Sequence, residues 1–144
     1  MSLQLKKLGD QVIVITGATS GIGLVTARMA AESGATLVLA ARNETALDRL
    51  VNELTANGAR AIAVAADVAH EGQVENIAAQ AIANFGRFDT WVNNAGVSIY
   101  GKLEDVSTED LRQLFETNFW GVVHGSRVAV RHLNIPHSGF REPP

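Results

Sequence analysis

The chain has 144 residues, enough for one domain with a real core, and 47% of them are apolar. Its formal net charge is −3 with no basic block, which argues against a nucleic-acid surface. It has no cysteine, which excludes disulfides, thiolate nucleophiles and cysteine-ligated metals. No stretch has the pattern of a signal peptide or a membrane span, so a soluble, cytoplasmic chain with no membrane partner is the expectation.

In chain order, the first signal is Val12–Ile15, four β-branched residues of buried-strand type. Thr16 and Gly17 end that strand, and Gly21 and Gly23 lead into the small and apolar residues Leu24–Ala31. Strand, glycine-rich turn and helix in that order suit a diphosphate. Glycine lacks a Cβ, so backbone N–H groups can approach an anion closely, and the new helix presents its positive end. Gly23 also lets the helix sit close against the strand. The spacing is G-x-x-x-G-x-G rather than the G-x-G-x-x-G of the usual dinucleotide fingerprint. A ligand-free tight turn would use the same glycines, but a second strand arriving on schedule favours the nucleotide site.

Ile22–Ser33 reads as a helix closed by Gly34, and Thr36–Ala41 as the second strand. Asn43 is a good N-cap for a helix over Glu44–Asn57, whose stripe is Leu47, Leu50, Val51 and Leu54. Arg60–Ala66 is a third strand running into Asp67 and Val68. A helix over Gln73–Phe85 follows, stopped by Gly86, and Phe88–Asn93 is a fourth strand. This alternation predicts an α/β, doubly wound parallel sheet in the order 3-2-1-4 with helices on both faces. Val97–Val106 is a loop, and Ser107 with Asp110 forms a capping-box variant. A long helix then runs to about Leu133 with an apolar face of Leu111, Leu114, Phe115, Phe119, Val122 and Val123, which places Asn118 on a buried stripe. Residues 134–144 hold all three prolines and read as an irregular tail after a 1–133 domain.

Thr16, Gly17, Gly21 and Gly23 match the T-G-x-x-x-G-x-G motif, and Asn93-Asn94-Ala95-Gly96 matches N-N-A-G. With both motifs the chain resembles the short-chain dehydrogenase/reductase family from about Asp10 to about Leu133, where the resemblance stops. It implies a Rossmann-type fold truncated after about four strands and a nicotinamide dinucleotide as cofactor. The implied cofactor-binding residues are Thr16, Gly17, Thr19, Ser20, Gly21, Ile22, Gly23, Arg42, Asp67, Val68, Asn93, Ala95 and Gly96. Arg42 follows the second strand, where an acidic residue would select the free ribose 2′-hydroxyl and an arginine accommodates a 2′-phosphate; NADP(H) is therefore expected over NAD(H). A solvated arginine at a strand end is the plainer alternative. Asp67 would accept from the adenine amine, cap the next helix, or do both.

In the family, Asn118 corresponds to a catalytic asparagine whose backbone holds a water in a proton relay at a local helix distortion; the plainer reading is a core amide bonded to nearby backbone. The family's other catalytic groups are a serine that polarises the substrate carbonyl and a Tyr-x-x-x-Lys pair. The chain has no Tyr-x-x-x-Lys: its only tyrosine is Tyr100, with Glu104 four residues on. His124 and His132 stand about 12 Å apart along one helix, too far to share a metal, so no metal site is expected. Two functional readings stay open. One is an oxidoreductase moving a hydride between NADP(H) and a carbonyl or alcohol. The other is a non-catalytic nucleotide-binding fragment of a truncated or frameshifted reading frame. An unpaired fourth strand and an underpacked long helix predict self-association.

Overall fold

The computed structural model describes residues 6–133, and the expected tail at 134–144 lies outside them. Four parallel strands, β1 (Val12–Thr16), β2 (Thr36–Ala41), β3 (Arg60–Ala65) and β4 (Thr90–Val92), lie in the order β3-β2-β1-β4. Five α-helices are described: α1 (Gly21–Glu32), α2 (Glu44–Ala56), α3 (Glu71–Phe85), α4 (Thr108–Phe115) and α5 (Gly121–His132). The topology is the expected one.

Alternation along the strands divides the core. Ile13, Ile15, Leu37 and Leu39 face α1 and α2, where they meet Ala27, Ala30, Leu47, Leu50 and Leu54. Val12, Val14, Val38, Ala40 and Val64 face the other side and meet α3 and α5 through Val74, Ile77, Ala78, Ala81, Val128 and Ala129. Every residue of β1 and β2 is buried, as strands covered on both faces require. Asn43 caps α2 by accepting from the Ala46 N–H at 3.0 Å, and Ser107 caps α4 by accepting from the Asp110 N–H at 3.0 Å, as their sequence positions predict. On the surface Arg28 of α1 grips Glu53 of α2 with two bonds of 2.7 and 2.8 Å.

Three expectations are corrected. The fourth strand is shorter than Phe88–Asn93, running Thr90–Val92; just before it Asp89 donates its N–H to Val12 O and accepts the Val12 N–H through its carboxylate, both at 2.8 Å. The helix before it begins at Glu71 rather than Gln73. The long helix is not continuous. A π-helical turn, Glu116–Trp120, separates α4 from α5 and resets which side faces inward. The buried face beyond it is Thr117, Gly121, Gly125, Val128 and Ala129, while Phe115, Phe119 and Val122 are exposed. Small residues line the inward face because the helix lies so close. A Cβ on Gly121 would stand 2.7 Å from Val68 Cγ2, and one on Gly125 2.1 Å from Asn93 Oδ1.

Asp89 joins the amino ends of β1 and β4. Its side chain, 19% exposed, bonds Lys6 Nζ at 2.7 Å, Arg87 Nε at 3.1 Å and the Val12 N–H. Burial pushes its carboxyl up, but the bonds from Lys6, Val12 and Arg87 outweigh this and hold it below the ordinary carboxylate value. A carboxyl lowered on folding stabilises above its unfolded pKa and loses that contribution as pH falls through the folded one. Asp89→Asn is therefore expected to cost roughly 1–2 kcal/mol at pH 7. The gap to the unmodified chain should close as pH drops below about 4, within the usual carboxylate range, as read by urea denaturation across a pH series. A deficit that stays constant with pH would contradict it.

Candidate functional site

The carboxyl ends of all four strands open into one cleft of about 250 Å³, lined by Gly17, Thr19 and Ser20 from the first turn and by Ala40, Ala41, Arg42 and Asn43 after β2. Ala66 and Val68 close it after β3, and Ala95, Gly96, Val97 and Thr117 on the far side. Its floor is small for a reason legible in the chain: β2 and β3 run out into Ala41 and Ala66, and the segment leaving β4 reaches the cleft with Ala95 and Gly96, so the backbone itself lies open there.

The first turn is held by the end of β4. Thr16, 2% exposed, donates its hydroxyl to Val92 O at 3.2 Å and accepts the N–H groups of Asn94 and Ala95, both at 3.1 Å. The Asn94 amide donates to Thr16 O and Gly17 O, both at 3.1 Å, tying the two strand ends together. Gly17 has φ +65°, and a Cβ on it would stand 2.7 Å from Ala95 Cα. A Cβ on Gly23 would stand 2.2 Å from Gly17 O, so this glycine does let the helix close onto the turn.

That packing leaves the start of α1 bare toward the cleft. Ser20 stands at the N-cap but its side chain makes no cap bond. The first N–H of α1 to find a backbone carbonyl is that of Leu24, on Ser20 O at 3.2 Å. Those of Gly21, Ile22 and Gly23 have no acceptor among the described residues. Uncapped N–H groups at a helix start, next to glycine and an open cleft, fit a diphosphate. Arg42 is exposed at the cleft rim and makes no ion pair among the described residues, so its charge is available to a ligand.

The other expected residues are placed variously. Gly17, Thr19, Ser20, Arg42, Val68, Ala95 and Gly96 meet at the cleft. Thr16 and Gly23 brace it from below. Asp67 sits beside it, with Oδ1 on the Ala69 N–H at 3.0 Å; this closes a turn before α3, while the cap position of that helix is His70. The helix-cap alternative for Asp67 is thereby corrected, and its Oδ2 makes no bond among the described residues. Asn93 turns away, accepting from Trp91 Nε1 at 2.9 Å and donating to Ser126 Oγ at 3.2 Å, so its amide seats α5.

Asn118 is exposed, not buried as the stripe predicts, because the π turn rotates it out of the core. Its amide nonetheless has two partners on one residue: Oδ1 accepts the Val97 N–H at 2.8 Å and Nδ2 donates to Val97 O at 2.7 Å. This clamps the cleft's Val97 wall to the helix. Sequence reasoning overlooked the cleft positions Val97 and Thr117; nothing in a linear pattern signals which side a π turn brings inward. Tyr100 is 94% exposed. Among the described residues no group of acidic and histidine side chains could hold a metal, and no helix is long and apolar enough to cross a membrane.

Comparison with known proteins places these features in a lineage. A family model described as short chain dehydrogenase matches residues 11–140. The match runs past Leu133, where the motif-based resemblance was expected to end. The uncharacterized oxidoreductase YxnA of Bacillus subtilis (strain 168) is 64% identical over 130 residues, 90% of this chain and 36% of YxnA. A short chain dehydrogenase/reductase from Burkholderia phymatum, solved in complex with NAD, superimposes with a TM-score of 0.86 at 40% identity, covering 90% of this chain and 46% of that one. L-Sorbose reductase from Gluconobacter frateurii, complexed with NADPH and L-sorbose, gives a TM-score of 0.80 at 33% identity over 85% of this chain and 47% of that one. The chain thus spans between about a third and a half of the length of the proteins it matches.

The brace beneath the cleft is open to a direct test. Thr16→Val keeps the shape but removes the hydroxyl, stranding the Asn94 and Ala95 N–H groups. An unmade bond of that kind costs about 1–3 kcal/mol, so a loss of roughly 2–4 kcal/mol is expected from thermal or urea unfolding. Thr16→Ser, which keeps the hydroxyl, should recover most of it. Equal stability of the valine and serine variants would show that the hydroxyl carries no such load.

Proposed function

The chain belongs to the short-chain dehydrogenase family, and on that premise we propose that it binds a nicotinamide dinucleotide across the carboxyl end of its sheet, with NADP(H) preferred over NAD(H). The observation that carries this reading is the first turn of α1, whose three unaccepted N–H groups stand over a glycine-built turn at the cleft. A diphosphate supplies the acceptors that the protein does not.

The remaining residues take roles consistent with their places. Gly17, Thr19, Ser20, Gly21, Ile22 and Gly23 form the diphosphate turn. Arg42 meets the 2′-phosphate, for which its free guanidinium and the absence of a carboxylate at Ala41 are the support. One neighbour was solved with NAD and another with NADPH, so the scaffold accommodates both. Asp67 offers Oδ2 to the adenine amine beside Val68. Ala95 and Gly96 leave room for the rest of the cofactor, and Asn93 acts at one remove by seating α5. Bound there, the dinucleotide supplies a hydride donor or acceptor at its nicotinamide ring. The π turn supports for Asn118 the role that the family implies, a main-chain group holding water in a proton relay.

The reaction of the longer family members, hydride transfer between NADP(H) and a carbonyl or alcohol, draws on a Tyr-x-x-x-Lys pair that these 144 residues do not contain. For this chain by itself the reading is nucleotide binding without turnover. The exposed apolar residues of α4 and α5 and the single-sided pairing of β4 support self-association as well.

Two measurements test the reading. Calorimetric titration should show tighter binding of NADPH than NADH. Arg42→Ala should weaken NADPH by roughly 10–100-fold, as loss of a charge-assisted pair does, and leave NADH nearly unchanged. Equal affinities for the two, or equal losses on substitution, would reject the assignment. Separately, NADPH oxidation with a panel of aldehydes and ketones should stay at background, since general acid catalysis alone contributes about 10²–10⁴-fold. Robust turnover abolished by Gly17→Trp would overturn the claim that binding is all the chain does.

A further inference from the structure

The segment that follows β3 is held from two sides, and the way it is held leaves one donor and one acceptor without a protein partner. Asp67 gives its N–H to Gln73 Oε1 at 2.7 Å, and its main-chain oxygen accepts the His70 N–H at 3.1 Å. Its carboxylate Oδ1 accepts the Ala69 N–H at 3.0 Å. Val68 O lies 3.2 Å from His124 Nδ1. A carbonyl only accepts, so that ring nitrogen carries the proton. Of the N–H groups of residues 67–70, that of Val68 alone has no acceptor among the described residues, and Oδ2 is the oxygen that Asp67 leaves free.

Two helices supply these restraints. Gln73 is the third residue of α3. In a capping box it would return to the amide of the N-cap residue, His70. That amide is already taken by Asp67 O, and Gln73 reaches back to Asp67 instead. His124 comes from α5, one turn beyond Gly121, whose missing Cβ lets the helix approach Val68. The Trp120 ring stacks on the imidazole with centroids 6.1 Å apart and planes 27° from parallel, which restricts how the histidine can swing. Neither Gln73 nor His124 is among the residues that line the cleft, whereas Val68 is.

We propose that Gln73 and His124 are positioning residues for the base of the dinucleotide, holding Asp67 and Val68 so that Oδ2 and the Val68 N–H read one edge of it. This rests on the nucleotide reading above and extends it from the base contact to the residues that set its selectivity. Adenine presents an amine donor beside a ring-nitrogen acceptor, the complement of that pair. Hypoxanthine presents an oxygen and a ring N–H in the same places, so acceptor would meet acceptor and donor would meet donor. Loss of Gln73 would also release the Asp67 N–H, a donor with which an oxygen-bearing base could pair.

The test is calorimetric titration of the 144-residue chain with NADPH and with its hypoxanthine counterpart, in which an oxygen replaces the adenine amine. NADPH should bind roughly 10–100-fold more tightly. Gln73→Met keeps the length and removes the acceptor, and His124→Leu removes the donor. Each should shrink that ratio by roughly 3–10-fold, mainly by weakening NADPH. His124→Asn, whose Nδ2 can donate in place of Nδ1, should restore it. Urea unfolding run alongside separates the two kinds of role, since a merely structural one lowers stability and weakens both nucleotides alike. An unchanged ratio in the folded variants would overturn the proposal and leave nucleotide binding in place, and a change in one variant alone would overturn the role of the other residue. Gln73 is exposed, so its variant is informative even where His124→Leu unfolds. Equal affinity of the unmodified chain for the two nucleotides would overturn the assigned edge. Binding of neither would overturn the nucleotide reading and this one with it.

Discussion

The Thr16 hydroxyl is the contact on which the rest of the cleft depends. It sits where β1 ends, bonded to one carbonyl and two amides of the chain leaving β4. Neither strand continues past this point, so no ladder holds the two exits together. The hydroxyl and the Asn94 amide stand in for one. They fix the distance between the first turn and the Ala95–Gly96 segment, and Gly17 and Gly23 are glycines because at that distance a Cβ would enter neighbouring backbone. The uncapped start of α1 follows from the same closeness, since a helix pressed onto its own entry turn leaves its first amides pointing outward.

A second constraint is volume. The sheet face toward α1 and α2 is built of Ile and Leu, and the face toward α3 and α5 of Val and Ala. On the latter side α5 lies close enough that Gly121 and Gly125 are needed against Val68 and Asn93. That closeness brings Thr117 to the cleft and puts His124 Nδ1 3.2 Å from Val68 O, so the residues after β3 are held from the helix side. Val68 thus faces the cleft with one side and a glycine with the other. A larger residue at position 121 would act on the cleft through it.

Most of the fold was legible because each element announces itself locally. Val12–Ile15 is β-branched throughout, Asn43 and Ser107 cap as predicted, and the glycines at 34, 58 and 86 end helices with positive φ. The site was legible where motif and geometry coincide, as at Thr16, Gly17 and Asn94. It failed where the answer lies in tertiary register. Asn118 falls on the apolar stripe of an uninterrupted α-helix, but one π turn suffices to carry it outside, and of the residues expected inward Phe115, Phe119 and Val122 end up exposed. Periodicity gives weight to Leu, Phe and Val. Here the buried face is Thr117, Gly121, Gly125 and Ala129 with Val128 alone among the larger apolar residues, and a hydrophobic pattern scores most of it as neutral. Asn93 illustrates the same limit, because the motif marks it without saying which way its amide turns.

What the described residues build is almost wholly a backbone site. The α1 amides, the Gly17 turn and the small strand ends need no side-chain support beyond Thr16 and Asn94, and these two are held by bonds within residues 6–133. Proton transfer differs in kind, since it needs side chains with matched pKa values aimed at one atom. Among the described residues Tyr100 is in solvent, and the Asn118 amide is spent on Val97. Binding and chemistry are therefore separable in this architecture. The geometry of β1, the first turn and α1 suits an anion through backbone amides alone, with no need for side chains of matched pKa.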